Sequence, residues 1–340
     1  MAHAGEKDVE KGLLRPEYAG EPKPVAAADA RRIMGLPVHV VSGAAYCVAS
    51  ASMVLLNKAA LSSFDFNSTT SLLFFQCLVC VILVKTADLL GFITLEPWNM
   101  RIIQAWFPVN LIFVGMIWTS FFALKNLGVP MATVLKNLTN LFVIGGDYFF
   151  YNKTYGSAVW LTLGLMMLSA VCGAATDLAF NLTGYFWQLI NCMFTAAYSL
   201  YLRGVMDRLV SLTVNKTRLD EFSMVFYNNL LSLPLLLVLI WQAGEFNSLA
   251  QEPALQNPYF LTAALASSLL AFCISFASLW FLSSTTATTY SLVGSLNKIP
   301  VALIGLVAFN VPWSPQNLLS ILVGLGAGVI FVRAKQAPSK

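Results

Sequence analysis

Two lysines stand where lysines are costly. Lys298 falls about the middle of a long apolar run, preceded by Asn297 and, a turn earlier, by the small residues Gly294 and Ser295. Lys136, followed by Asn137, holds a similar place in an earlier run. A charge at the bilayer centre costs at least about 2.5–3.5 kcal/mol on insertion scales, so each lysine must face a cavity or a partner. The acid well inside a run is Asp147. Lying three helical turns beyond Lys136, it is about 16 Å away along a helix, too far for an intrahelical pair. Two lysines without midplane acids make a positive cavity that suits an anionic ligand, with Lys136 as a second basic site. Pairing across helices with Asp147 is the plainer alternative. A proton or sodium coupler would show further intramembrane carboxylates, so ion coupling is disfavoured.

Other polar side chains interrupt the runs. Asn228 and Asn229 are adjacent carboxamides, costly in a span unless hydrogen-bonded. Their donors and acceptors match the mixed edge of a nucleobase, and equally suit hydrogen bonding between helices. Ser275 and Ser278, spaced i, i+3, share a helix face and serve either close packing or a polar contact. Tyr46, mid-run, offers an aromatic wall and a hydroxyl, or ordinary core packing. Gly294 and Ser295 let a ligand or another helix approach closely.

The elements that must position these residues are membrane helices. Of the 340 residues, 58% are apolar and 11% charged, where a soluble domain is about 25% charged. That excludes a disordered chain, a disulfide-rich secreted domain and an ordinary soluble enzyme. The net charge of +4 is small and its sources are scattered, which excludes a nucleic-acid binder. Apolar runs predict ten spanning helices near 36–56, 69–91, 104–124, 129–150, 158–176, 184–202, 222–243, 259–281, 286–309 and 315–332. The breaks hold Glu96-Pro97, Gly128-Val129-Pro130 and Asn310-Val311-Pro312. Trp98, Trp106, Trp160, Trp241 and Trp313 are expected as interfacial anchors near helix ends. The six cysteines lie in apolar stretches and the histidines are His3 and His39, so buried free thiols are expected and neither metal nor cofactor.

Residues 1–35 balance six basic against six acidic side chains and read as a disordered polar arm, too acidic for a transit peptide. Ten spans put both termini on one side. With the long arm discounted except for Arg31 and Arg32, that side holds twelve basic residues and the other holds two, Lys58 and Lys125. The positive-inside rule makes the first side cytosolic. The halves echo one another. Ser120–Thr133 and Ser275–Thr288 match at six of 14 positions at a constant offset of 155, and Phe74-Phe75-Gln76 parallels Phe226-Tyr227-Asn228. Both echoes set helix n against helix n+5. A five-helix repeat has an odd number of spans, so its copies are inverted, a transporter arrangement with the site near midplane. The expected division is an arm (1–35), a first repeat (36–178), a second repeat (179–332) and a cytosolic tail (333–340), all-α throughout.

Phe226-Tyr227-Asn228-Asn229 and Gly294-Ser295-Leu296-Asn297-Lys298 resemble the two nucleotide-sugar motifs of the Golgi GDP-mannose transporters, within the drug/metabolite transporter superfamily. The resemblance covers about residues 36–335, and Ser295 in place of a fungal alanine suits the plant and algal group. It implies a multi-pass Golgi antiporter that exchanges cytosolic GDP-mannose, or a related GDP-sugar, for lumenal GMP. It also implies that Asn228 and Asn229 bond guanine, that Ser275 and Ser278 sit near the base, and that Tyr46 lies near the nucleoside. Tyr290 and Lys298 would meet phosphate, and Gly294, Ser295 and Asn297 the sugar. The rivals are a carrier of UDP- or CMP-sugars, a plastid phosphate-ester translocator, which the lack of a transit-peptide pattern disfavours, and, more distantly, an integral-membrane glycosyltransferase, disfavoured by short lumenal connections and scattered acids. The sequence leaves open whether the chain forms a homodimer in the bilayer.

Overall fold

Backbone amides in lipid can be satisfied only within the chain, and long apolar segments answer by forming helices. The computed structural model describes residues 32–336, apart from Met34, Asp65, Lys153, residues 215–218, Ala250 and Thr286. Residues 1–31 of the expected arm and the last four of the tail lie outside the described residues. A two-residue hairpin, β1 (Arg32–Ile33) with β2 (Leu36–Pro37), turns through Gly35 at φ +81°. The helices follow. They are α1 (Val38–Lys58), α2 (Thr69–Leu89), α3 (Met100–Asn126), α4 (Val129–Leu135), α5 (Thr139–Tyr151), α6 (Ser157–Ala175), α7 (Leu182–Leu209), α8 (Glu221–Gln242), the short α9 (Glu245–Leu249), α10 (Pro258–Ser284), α11 (Ala287–Ala308) and α12 (Pro315–Gln336).

Polar punctuation sets the ends. Asn99, Asn181, Asp220 and Asn257 each accept a hydrogen bond from a first-turn amide, capping α3, α7, α8 and α10. Asn152 and Asn310 take the left-handed conformation, at φ 49° and 47°, where α5 and α11 stop. The start of α2 is capped from a distance. The Glu245 carboxylate accepts from the Thr70 and Ser71 amides at 3.1 and 2.8 Å, and Glu252 accepts from those of Asn67 and Ser68 at 3.0 and 3.1 Å. Two acids that a sequence reader would leave in a loop are therefore buried against a positive helix terminus.

Among the described residues, seven helices are long and apolar enough to cross a membrane: α1, α2, α3, α6, α8, α10 and α12. The predicted runs at 129–150, 184–202 and 286–309 fall short of that measure, and they carry both lysines. The run at 129–150 is two helices rather than one, separated by a 3₁₀ turn at Lys136–Leu138. Helix α7 continues seven residues past its predicted end, and α12 runs through Gln336, so the expected tail begins as helix. Main packing pairs are α1 with α10, α3 with α7, α2 with α8 and α6 with α12.

Two side chains depart from expectation. Trp106 is no interfacial anchor: it lies within α3, fully buried, its indole N–H donating to Asn228 Oδ1 at 2.8 Å. Lys58 sits in the last turn of α1 rather than in a loop, buried, with Nζ on the carbonyls of Leu124 and Leu127. All six cysteines are free, with Cys77, Cys80 and Cys192 buried among the helices and Cys172 and Cys273 on the outer surface of α6 and α10.

Candidate functional site

Helices α1, α3, α4, α7 and α11 enclose a cavity of about 270 Å³. Tyr46, Ser50 and Val54 contribute successive turns of α1, and Gly294, Asn297, Lys298 and Val301 a continuous face of α11. Lys136 enters at the end of α4 beside Ala132 and Thr133, with Gln188 and Asn191 of α7 opposite. Both predicted lysines therefore reach one chamber.

Their partners are neutral. Lys298 donates to Asn137 Oδ1 at 2.6 Å. Lys136 donates to Asn191 Oδ1 and, at 2.8 Å, to Thr195 Oγ1. Among the described residues neither makes an ion pair with a carboxylate. The cross-helix alternative is accounted for elsewhere: Asp147 accepts from the Tyr155 hydroxyl at 2.6 Å and lies 4.0 Å from Lys335 Nζ. Coulomb repulsion between two ammonium groups in a low-dielectric chamber makes it a place where an anion lowers the energy.

One end of the cavity is aromatic. The Tyr46 ring lies 5.8 Å from Phe281 and 5.1 Å from Tyr290, and Phe281 is 5.7 Å from Tyr290. The Ser278 and Tyr290 hydroxyls hydrogen-bond each other. Gly294 faces this cluster closely; a Cβ there would stand 3.3 Å from the Tyr46 hydroxyl. Asn297 donates to the Cys47 carbonyl at 3.3 Å, tying α11 to α1.

The predicted residues thus divide. Tyr46, Gly294, Asn297, Lys298 and Lys136 line the chamber, and Ser278 and Tyr290 join it through Tyr46. Ser295 is half-buried outside the lining. Ser275 bonds back to the Ala271 carbonyl of its own helix. Asn228 is buried away from the chamber, accepting from Trp106 and donating to the Tyr198 hydroxyl at 3.0 Å. Asn229 is half-buried and donates to Val225 one turn back. In this conformation Asn228 links α3, α7 and α8. Residues missed by sequence reasoning are Gln188, Asn191 and Thr195. Their i, i+3, i+7 spacing in an apolar run is the amphipathic signal that could have exposed them.

The chain matches known proteins along most of its length. The model of the Triose-phosphate Transporter family matches residues 38–332. A GDP-mannose transporter of Arabidopsis thaliana, GONST1, is 52% identical over 296 residues, covering 87% of this chain and 89% of its own. A second from that plant, GONST2, is 47% identical over 88% of this chain and 79% of its own. A GDP-mannose transporter of Aspergillus oryzae is 33% identical over 96% of this chain and 87% of its own. A solved crystal structure superposes with a TM-score of 0.55 over 84% of this chain and 96% of its own, at 13% identity, a likeness of fold alone. On this match, which runs from the start of α1 into α12 and takes in both lysines, the chain belongs to the Triose-phosphate Transporter family, a family of transporters and not of enzymes.

Proposed function

We propose that the protein is a nucleotide-sugar antiporter of the Golgi membrane, exchanging cytosolic GDP-mannose, or another GDP-sugar, for lumenal GMP. The observation that carries this reading is the meeting of Lys136 and Lys298 in one chamber without a carboxylate partner among the described residues. Such a chamber suits phosphate, the group that both exchanged nucleotides share. GDP-mannose carries two negative charges and GMP about −1.5 to −2, as phosphomonoesters do at neutral pH. The exchange is nearly electroneutral, and one site serves both directions. The relatives named GDP-mannose transporters support the choice of guanine nucleotide.

The carrier has ten spans, taking α4 and α5 as one broken span, with both termini cytosolic and inverted repeats at 36–178 and 179–332. The packing supports the repeat. Replacing each span by the one five places on turns the α1–α10 pair into the α7–α3 pair. The polar links obey the same exchange. Gln76 on α2 bonds Asn57 of α1 and Ser267 of α10, while Asn228 on α8 bonds Tyr198 of α7 and Trp106 of α3. Phosphate meets Lys298, Lys136 and Tyr290, the sugar meets Gly294, Ser295 and Asn297, and Tyr46 packs on the nucleoside. Guanine recognition by Asn228 and Asn229, with Ser275 and Ser278 nearby, requires Asn228 to trade its Trp106 and Tyr198 bonds for bonds to the base.

Counterflow into proteoliposomes preloaded with GMP tests the reading. Uptake of GDP-mannose, competed by GMP and not by UMP or CMP, is the expected result. Equal competition by UMP would replace guanine with another base, and uptake without internal nucleotide would remove exchange. A panel adding GDP-fucose, GDP-galactose and GDP-glucose ranks the sugars.

A further inference from the structure

The hydrogen bonds of the two cavity lysines cross between the halves of the chain. Lys136, in the first half, donates to Asn191 and Thr195 on α7, in the second. Lys298, in the second half, donates to Asn137 in the first. Asn137 stands behind Lys298 rather than in the cavity wall and is buried. Its amide nitrogen donates in turn to the Gly324 carbonyl of α12 at 3.0 Å. Helix α12 leaves room for it: a Cβ at Gly328 would stand 3.1 Å from that amide. Asn137 lies in the 3₁₀ turn that breaks the α4–α5 span, a local geometry that often marks a hinge.

We infer that Asn137 and Thr195 are positioning residues forming two reciprocal latches, which hold the empty carrier still and release it when phosphate arrives. The inference rests on the exchange reading above. An ammonium within a membrane span must be bonded to something. Without a ligand its acceptors are a neutral amide and a hydroxyl. A phosphate oxygen is a charged acceptor and bonds about twice as strongly. Nucleotide therefore draws the Lys298 ammonium off Asn137, and that of Lys136 off Asn191 and Thr195, and onto itself. In an inverted-repeat carrier the two access states differ by rocking one half against the other. Three bonds from these lysines span the halves and oppose that motion, and the ligand removes all three. The empty carrier stays latched, the loaded carrier moves, and transport becomes exchange without any ion gradient.

The test is efflux of labelled GMP from proteoliposomes, with and without GDP-mannose outside, for the full chain and for Asn137→Ala and Thr195→Val. Full-chain efflux that depends on external nucleotide upholds exchange; efflux independent of it overturns that earlier reading, whatever the variants do. Given exchange, the latch predicts that each variant releases GMP into nucleotide-free buffer at least about tenfold faster than the full chain, the scale of one lost bond to a charged group. GMP affinity in the purified variants should be unchanged or tighter, because a competitor for each lysine is gone. Variants that stay strictly exchanging at the parent rate would overturn the latch. So would a loss of GMP affinity, which would make these residues ligand contacts. Thr195→Val conserves shape, so it reads the second latch even if Asn137→Ala fails to fold.

Discussion

The ammonium of Lys58, at the end of α1, donates to the Leu127 carbonyl at 2.7 Å, just past the end of α3. It also reaches the Leu124 carbonyl at 2.8 Å, so one side chain closes the carbonyl end of another helix. The last carbonyls of a helix lack partners of their own and carry partial negative charge. The relationship ties α1 to the α3–α4 corner, whose next turns supply Thr133 and Lys136 to the cavity.

Lys58→Met keeps volume and removes the donor. The carbonyls left unpaired should cost about 1–3 kcal/mol, read as a lower unfolding temperature in detergent. An unchanged temperature would show that water or lipid headgroups replace the ammonium without loss.

Glu245→Ala and Glu252→Ala each remove a carboxylate that accepts two backbone amides at the start of α2. Each should cost about 1–2 kcal/mol, the scale of a lost helix cap with its charge. The double variant should fall short of the sum, since both acids hold one turn. Thermal unfolding of the three proteins measures this, and strict additivity would mean that the acids act on separate parts of the fold.

Asn228 and Asn229 separate stability from recognition. Asn228→Ala strands the Trp106 indole and the Tyr198 hydroxyl, so about 1–3 kcal/mol of stability should be lost along with any base contact. Asn229→Ala gives up one bond within its own helix and should unfold at nearly the parent temperature, while losing preference for GMP over UMP in competition. If Asn229→Ala retains full guanine preference, base recognition does not reside at this asparagine.

Much of this was legible in the chain, for physical reasons. Apolar runs must become helices in lipid, so the helical architecture follows from composition, and a lysine amid such a run announces a chamber. Pairings across the fold were not legible. Nothing around Lys58 reveals that the α3 carbonyls come within its reach, and nothing around Trp106 shows that it faces an asparagine more than a hundred residues later. Asn228 illustrates the limit. A carboxamide in a span serves a ligand or a neighbouring helix with the same atoms, and its surroundings, not its identity, decide. The break at Lys136–Leu138 was hidden because the local apolarity continues through it.

Orientation is open to direct test. Tags at residues 1 and 340 should both be digested by protease in sealed Golgi vesicles whose cytosolic face is outward, as the excess of basic residues on that side requires. Protection of either tag would contradict the ten-span orientation.

Equilibrium binding of GMP and GDP-mannose to purified Lys298→Ala tests the anion chamber most directly. Loss of a bond from an ammonium to phosphate should weaken both nucleotides by about ten- to a hundredfold. Competition by guanosine, which has no phosphate, should stay at the parent level, and the variant should remain folded. Unchanged affinity for both nucleotides would contradict the account, because the lysine placed at the centre of the cavity would then not be what holds the phosphate.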